Sequence, residues 1–133
     1  MILAVDPGKF KSGLALLDHH ANAVKKEVVA SLDLIVKIKE LLGGTKIETM
    51  VIGEGVFGRQ LKNEISVQKN LPPVVMISEK DSSWQARQRY WREHPPHGWK
   101  RLIPTSLLVP PVPIDDYAAL IIGERYLKNP VTT

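Results

Sequence analysis

The chain has 133 residues, no cysteine, 44% hydrophobic and 24% charged residues, and a formal net charge of +4. That length suits one domain able to bury its own core, and the missing cysteine excludes a disulfide framework or a thiolate zinc site. No apolar run approaches the ~20 residues of a membrane span, and Asp6 breaks the apolar opening at once, so a cytoplasmic protein with no membrane partner is expected.

Residues 2–6 (Ile-Leu-Ala-Val-Asp) form a short apolar run ended by Pro7-Gly8, which predicts a buried strand closed by a turn. Residues 13–17 and 23–30 predict two more strands, the first three making an antiparallel meander. The period then changes. Leu32, Ile35, Ile38, Leu41 and Leu42 recur at helical spacing, with Ser31 as N-cap and Gly43-Gly44 as the stop. Thr49–Glu54 predicts a strand, residues 58–69 a weakly amphipathic helix, and Val74–Ile77 a strand after Pro72-Pro73. Residues 82–92 predict a helix capped by Ser82. Six of the ten prolines fall between 95 and 113, and that density excludes a helix or a central strand. A helix over about 114–128 closes the chain, with Asp115 and Asp116 in its first turn. The order predicts an α/β fold: a five-stranded mixed sheet, antiparallel in strands 1–3, then parallel in strands 4 and 5, flanked by helices.

The charge is uneven. Residues 80–101 hold Lys80, Arg87, Arg89, Arg92, Lys100 and Arg101 against Asp81 and Glu93, so this window carries the whole +4 and the rest balances. Trp84, Trp91 and Trp99, all the tryptophans of the chain, lie in it. A basic stretch with aromatics suits an anionic polymer, by phosphate contact and base stacking. Trp84 and Trp91, seven apart, also suit a packed helix face, and at least one is expected in the core. Lys9, Lys11 and Arg59 are further candidate phosphate contacts. His94 and His97 read as loop residues and His19-His20 as a turn.

Asp6, Glu54 and Glu79 each end or follow a strand, and parallel strands bring such acids to one sheet edge, where open α/β sheets place ligands. Asp115 and Asp116, opening the last helix, can join them. Carboxylates this close repel and raise one another's pKa. A divalent cation relieves the conflict, and phosphodiester hydrolysis uses it.

Asp6-Pro7-Gly8 with Ser12-Gly13-Leu14-Ala15-Leu16 resembles the opening strand pair of the RuvC/YqgF nucleases. Val51-Ile52-Gly53-Glu54 resembles their fourth strand. Ile77-Ser78-Glu79-Lys80 with Ser82-Ser83 and Ala86 resembles the YqgF Asp-Glu-Arg…Thr-Thr segment, with Ser and Lys beside the Glu here. Asp115-Asp116-Tyr117-Ala118-Ala119 resembles the closing helix, although Val112 stands where RuvC carries a further acid three residues before Asp115. The resemblance implies a single ribonuclease H-like domain over 1–133. It implies a nuclease cutting Holliday junction-like DNA or a ribosomal RNA precursor, with Mg²⁺ or Mn²⁺ and as a homodimer. Asp6, Glu54, Glu79 and Asp115 are then the expected catalytic residues, and Asp6, Glu54, Asp115 and Asp116 the expected metal ligands. Two alternatives stand beside it: a catalytically weak or inactive nucleic-acid-binding module on the same fold, and a nucleotide-binding enzyme. The second rests on Asp6-Pro7-Gly8 and Gly13, which also resemble the first phosphate loop of actin-like sugar kinases.

Overall fold

A computed structural model describes residues 1–129. Five strands, β1 (Ile2–Asp6), β2 (Lys11–Leu17), β3 (Ala23–Ala30), β4 (Thr49–Glu54) and β5 (Val74–Ser78), form one sheet in the order β3-β2-β1-β4-β5. β1, β2 and β3 pair antiparallel, β4 runs parallel to β1, and β5 parallel to β4. Among the described residues four α-helices accompany them: α1 (Leu34–Gly44), α2 (Val56–Ser66), α3 (Ser82–Glu93) and α4 (Asp115–Lys128). The antiparallel strands follow one another through short turns. Each parallel strand is reached through a helix, because a chain returning to start a parallel neighbour needs a crossover.

The sheet is covered on both faces, and side-chain alternation divides its residues between them. Leu3, Val5, Leu14, Leu16, Met50 and Ile52 meet α1 and α2. Ile2, Ala4, Ala15, Leu17 and Val51 meet Ala119, Leu120 and Ile122 of α4. α3 packs outside α4 through Ala86 and Tyr90 against Tyr117, Ala118 and Ile121. α4 therefore lies between sheet and helix, which explains why every residue from Tyr117 to Gly123 is buried.

The observed architecture agrees with the expected α/β sheet and differs in its boundaries and caps. α2 starts at Val56, since Gly55 is extended and ends the strand segment there. Ser31 does not cap α1: its hydroxyl donates to the Gly8 carbonyl at 2.8 Å and meets the Ser12 hydroxyl at 2.8 Å, tying β3's end to the turn after Asp6. Ser82 is buried as the first residue of α3 and makes no side-chain cap; Asp81 before it holds a left-handed conformation with φ 61°. Among the described residues no helix is long and apolar enough to cross a membrane. The proline-rich stretch is irregular apart from short 3-10 turns at Gly98–Leu102 and Thr105–Leu107.

Candidate carboxylate site and its basic flank

Strand alternation decides which acids meet. Even-numbered residues of β1 face α4, so Asp6 at its end does too. Val75 and Ile77 precede Glu79 on one face of β5, and Ile77 packs with the α4 side. Asp115 opens α4 itself. Asp6, Glu79 and Asp115 thus come together at the carboxyl edge of the parallel strands.

Three glycines make room for this. Asp6 is the cross-strand partner of Gly13. A Cβ on Gly13 would overlap the Asp115 carbonyl, so the missing side chain lets the start of α4 settle beside Asp6. In β4, a Cβ on Gly53 would lie 3.1 Å from Glu79 Oε2 and 3.6 Å from Asp6 Oδ1. A Cβ on Gly55 would overlap Glu79 Oε1. The Glu79 side chain therefore lies across the bare backbone of β4 and brings its carboxylate toward Asp6.

The electrostatics agree. The Asp6 pKa is pushed up to about 7, first by burial, then by the negative charges of Glu79 and Asp115. Burial also raises the pKa of Glu79. Among the described residues no three His, Cys, Asp or Glu side chains close into a ready-made metal cage. The donor set is nonetheless hard oxygen with unmet negative charge, and Mg²⁺ binds through one or two carboxylates plus substrate phosphate rather than through an all-protein cage.

Two expected ligands stand apart. Glu54 is exposed, and alternation after Met50 and Ile52 assigns it to the α1–α2 face, opposite Asp6; Gly53 takes the position beside Asp6. Asp116 is committed elsewhere. Its Oδ1 accepts from the Tyr117 amide at 2.9 Å and its Oδ2 lies 3.8 Å from Lys26 Nζ, which also sits over the Tyr117 ring.

The basic residues also divide. Lys9, Lys11, Arg59, Lys80, Arg92, Lys100 and Arg101 are exposed and Arg87 is half-buried. Lys9 lies over the Phe10 ring and lines a pocket of about 330 Å³ with Ser31, Phe57 and Gln60, on the α1–α2 side of the Asp6 turn. Arg89 is spent on structure: it donates to both Glu124 oxygens at 2.9 and 2.8 Å, bracing α3 against α4. Neither Trp84 nor Trp91 is fully buried; Trp91 packs partly against the α3–α4 contact, and Tyr90 fills the core position between them. His94 stacks on Tyr90, and His19 reaches Glu48 at 3.3 Å.

Arg125 is a site residue that the sequence pattern does not single out. From α4 its guanidinium donates to the Ser78 carbonyl at 2.7 Å, the Lys80 carbonyl at 2.6 Å and the Gln85 side chain at 2.9 Å. The backbone on both sides of Glu79 is thereby held to α4. A basic residue ten positions after Asp115 on the same helix is the only sequence signal, and it names no partner.

No protein-family model matches the chain, and no curated protein matches it. Among solved structures, it is similar to a Listeria monocytogenes protein proposed to be an N-acetylmannosamine kinase, at 11% identity and a TM-score of 0.42. That match covers 71% of this chain and 40% of the other, so the chain spans well under half of that protein's length.

Proposed function

We propose that the chain is a metal-dependent nuclease of the RuvC/YqgF kind on a ribonuclease H-like fold, acting on branched DNA or structured RNA. The observation that carries this reading is the meeting of Asp6, Glu79 and Asp115 at one sheet edge, with Asp6 pushed up to about 7 by burial and its two neighbours. The sheet order β3-β2-β1-β4-β5, with β2 antiparallel to β1, supports the fold assignment.

Asp6, Glu79 and Asp115 would hold Mg²⁺ or Mn²⁺. The ion, when bound, supplies charge neutralisation at the scissile phosphate and an acidified water. The chain does the rest. Burial of Asp6 keeps its carboxyl poorly hydrated and therefore ready to exchange a proton for a cation. Arg125 fixes the segment that carries Glu79. Exposed Lys80, immediately after Glu79, offers a point charge to a flanking phosphate. The expected set of four catalytic acids becomes three, with Glu79 reaching over Gly53 into the space beside Asp6.

The test compares wild type with Asp6→Asn on a four-way DNA junction and on a ribosomal RNA precursor, with Mg²⁺, Mn²⁺ or chelator. Cleavage should need the metal and fall by orders of magnitude in the variant. Equal cleavage by both proteins sinks the reading. A second reading, a binding module without catalysis, is favoured by the separation of Glu54 and the Lys26 pairing of Asp116. It predicts salt-dependent binding with no metal-dependent product.

A further inference from the structure

α3 buries Ser82, Ala86 and Tyr90. Its other side faces the proline-rich stretch. Trp84, Arg87, Gln88, Trp91 and Thr105 line a pocket of about 320 Å³ there. Trp91 is also a wall of a second cleft of about 470 Å³, between the end of α3 and the loop, with Tyr90, His94, Trp99 and Lys100.

The chemistry of these clefts is one-sided. No acid lines either one, and the sequence holds no Asp or Glu between Glu93 and Asp115. Aromatic rings are concentrated there, and two of them, Trp84 and Trp99, are not used to close a core. Trp99 is 69% exposed and Trp84 51% exposed. Tyr90 is already covered, by His94 stacked at 4.6 Å and by Trp91 edge-on at 5.1 Å. Trp99 is the indole of the larger cleft left open to solvent. Large indole faces beside Lys and Arg, without acids, form the combination that takes bases by stacking and phosphates by charge. α3 begins three residues after Glu79, and its far end, which walls the larger cleft, lies about 18 Å along the helix axis from that start.

We propose that the larger cleft, between the end of α3 and the proline-rich loop, holds an unpaired nucleobase stacked on Trp99, with one adjoining phosphate on Lys100 and the next on Arg87 in the neighbouring pocket that shares Trp91. This rests on the nucleic-acid reading above and narrows it. The preferred substrate then carries a splayed-out single-stranded nucleotide a few positions from the cut, as in a junction, a loop or a precursor end, and is not continuous duplex.

The test titrates the full chain with a short oligothymidylate and with an abasic strand of equal length, reading tryptophan emission and strand anisotropy. The oligothymidylate should quench the emission and bind more tightly than the abasic strand. Trp99→Ala should weaken the oligothymidylate about 5- to 150-fold and leave the abasic strand unchanged, with Trp99→Phe recovering part of the loss. Lys100→Gln should weaken both strands alike. Equal affinity and equal emission change for the two strands overturns base stacking while leaving the nuclease reading intact. Quenching by a proline-rich peptide but not by the oligothymidylate also overturns it, in favour of a protein partner. No binding of any strand, with no metal-dependent cleavage, overturns both readings.

Discussion

A carboxyl group whose pKa is raised by burial responds to pH in a fixed direction. In the unfolded chain Asp6 loses its proton near the ordinary 3.8, and in the fold it keeps it until about 7. Between those values the folded state binds a proton that the unfolded state has released, so stability falls as pH rises from about 4 to about 7 and is level above that. Asparagine has no proton to lose. Asp6→Asn should therefore match wild type in urea unfolding at about pH 3.5 in chelator and exceed it by a few kcal/mol at about pH 8. A gap that does not widen with pH would rule out the strained carboxylate. Added Mg²⁺ at the higher pH should raise the midpoint of wild type and not of the variant. Gly53→Ala tests the space that Glu79 uses. The new methyl would stand 2.8 Å from Ile122 Cδ1 and 3.1 Å from Glu79 Oε2. It should displace the carboxylate with a stability loss of about 1–3 kcal/mol and, on the proposed nuclease reading, abolish cleavage; unchanged cleavage would show that Glu79 does not act from this position. The acids themselves were legible in the sequence, because each ends a strand or opens a helix. Which of them meet was not. β4 is apolar from Met50 to Ile52 and buried on both faces, so its pattern has no alternation to fix a phase, and Glu54 could not be told from its neighbours by side.

At the scale of elements, the apolar runs and their period were enough to locate the five strands and four helices of the described residues, because a two-faced sheet demands continuous apolar strands at its centre and α1 and α2 cover it with one stripe each. What binds one element to another was not legible. Arg89 and Glu124 lie on different helices, and Arg125 binds carbonyls, which carry no sequence label. The latter contact joins α4 to the turn between β5 and α3, the segment carrying Glu79. Arg125→Ala removes charge-assisted bonds to Ser78, Lys80 and Gln85 and should cost about 1.5–3 kcal/mol in urea unfolding. If the turn positions Glu79, cleavage at saturating substrate should fall well beyond what the unfolded fraction explains, with substrate affinity little changed. Arg89→Ala, which loosens the same two helices away from the turn, serves as control. An equal loss of activity in both variants would reduce Arg125 to a packing role.

For the molecule as a whole, the question is how many of the positive charges are free to meet an anionic polymer. The sequence places six basic residues in the window 80–101. The fold withdraws Arg89, whose charge is matched by Glu124 at 2.8 Å. Lys80, Arg92, Lys100 and Arg101 remain exposed, with Arg87 on a pocket wall. On the proposed reading these supply phosphate contacts, and each contact releases bound counterions, so the logarithm of affinity falls linearly with the logarithm of salt. Replacing one contacting residue with Gln should reduce that slope by about 1. Lys100→Gln and Arg101→Gln should each do so, and the double variant should reduce it by about 2. Arg89→Gln should lower stability and leave the slope unchanged, because its guanidinium is already paired and releases no counterion on binding. A slope that drops for Arg89→Gln as much as for Lys100→Gln would mean that the α3–α4 clamp opens on binding, and that the charge seen as internal is part of the contact surface after all.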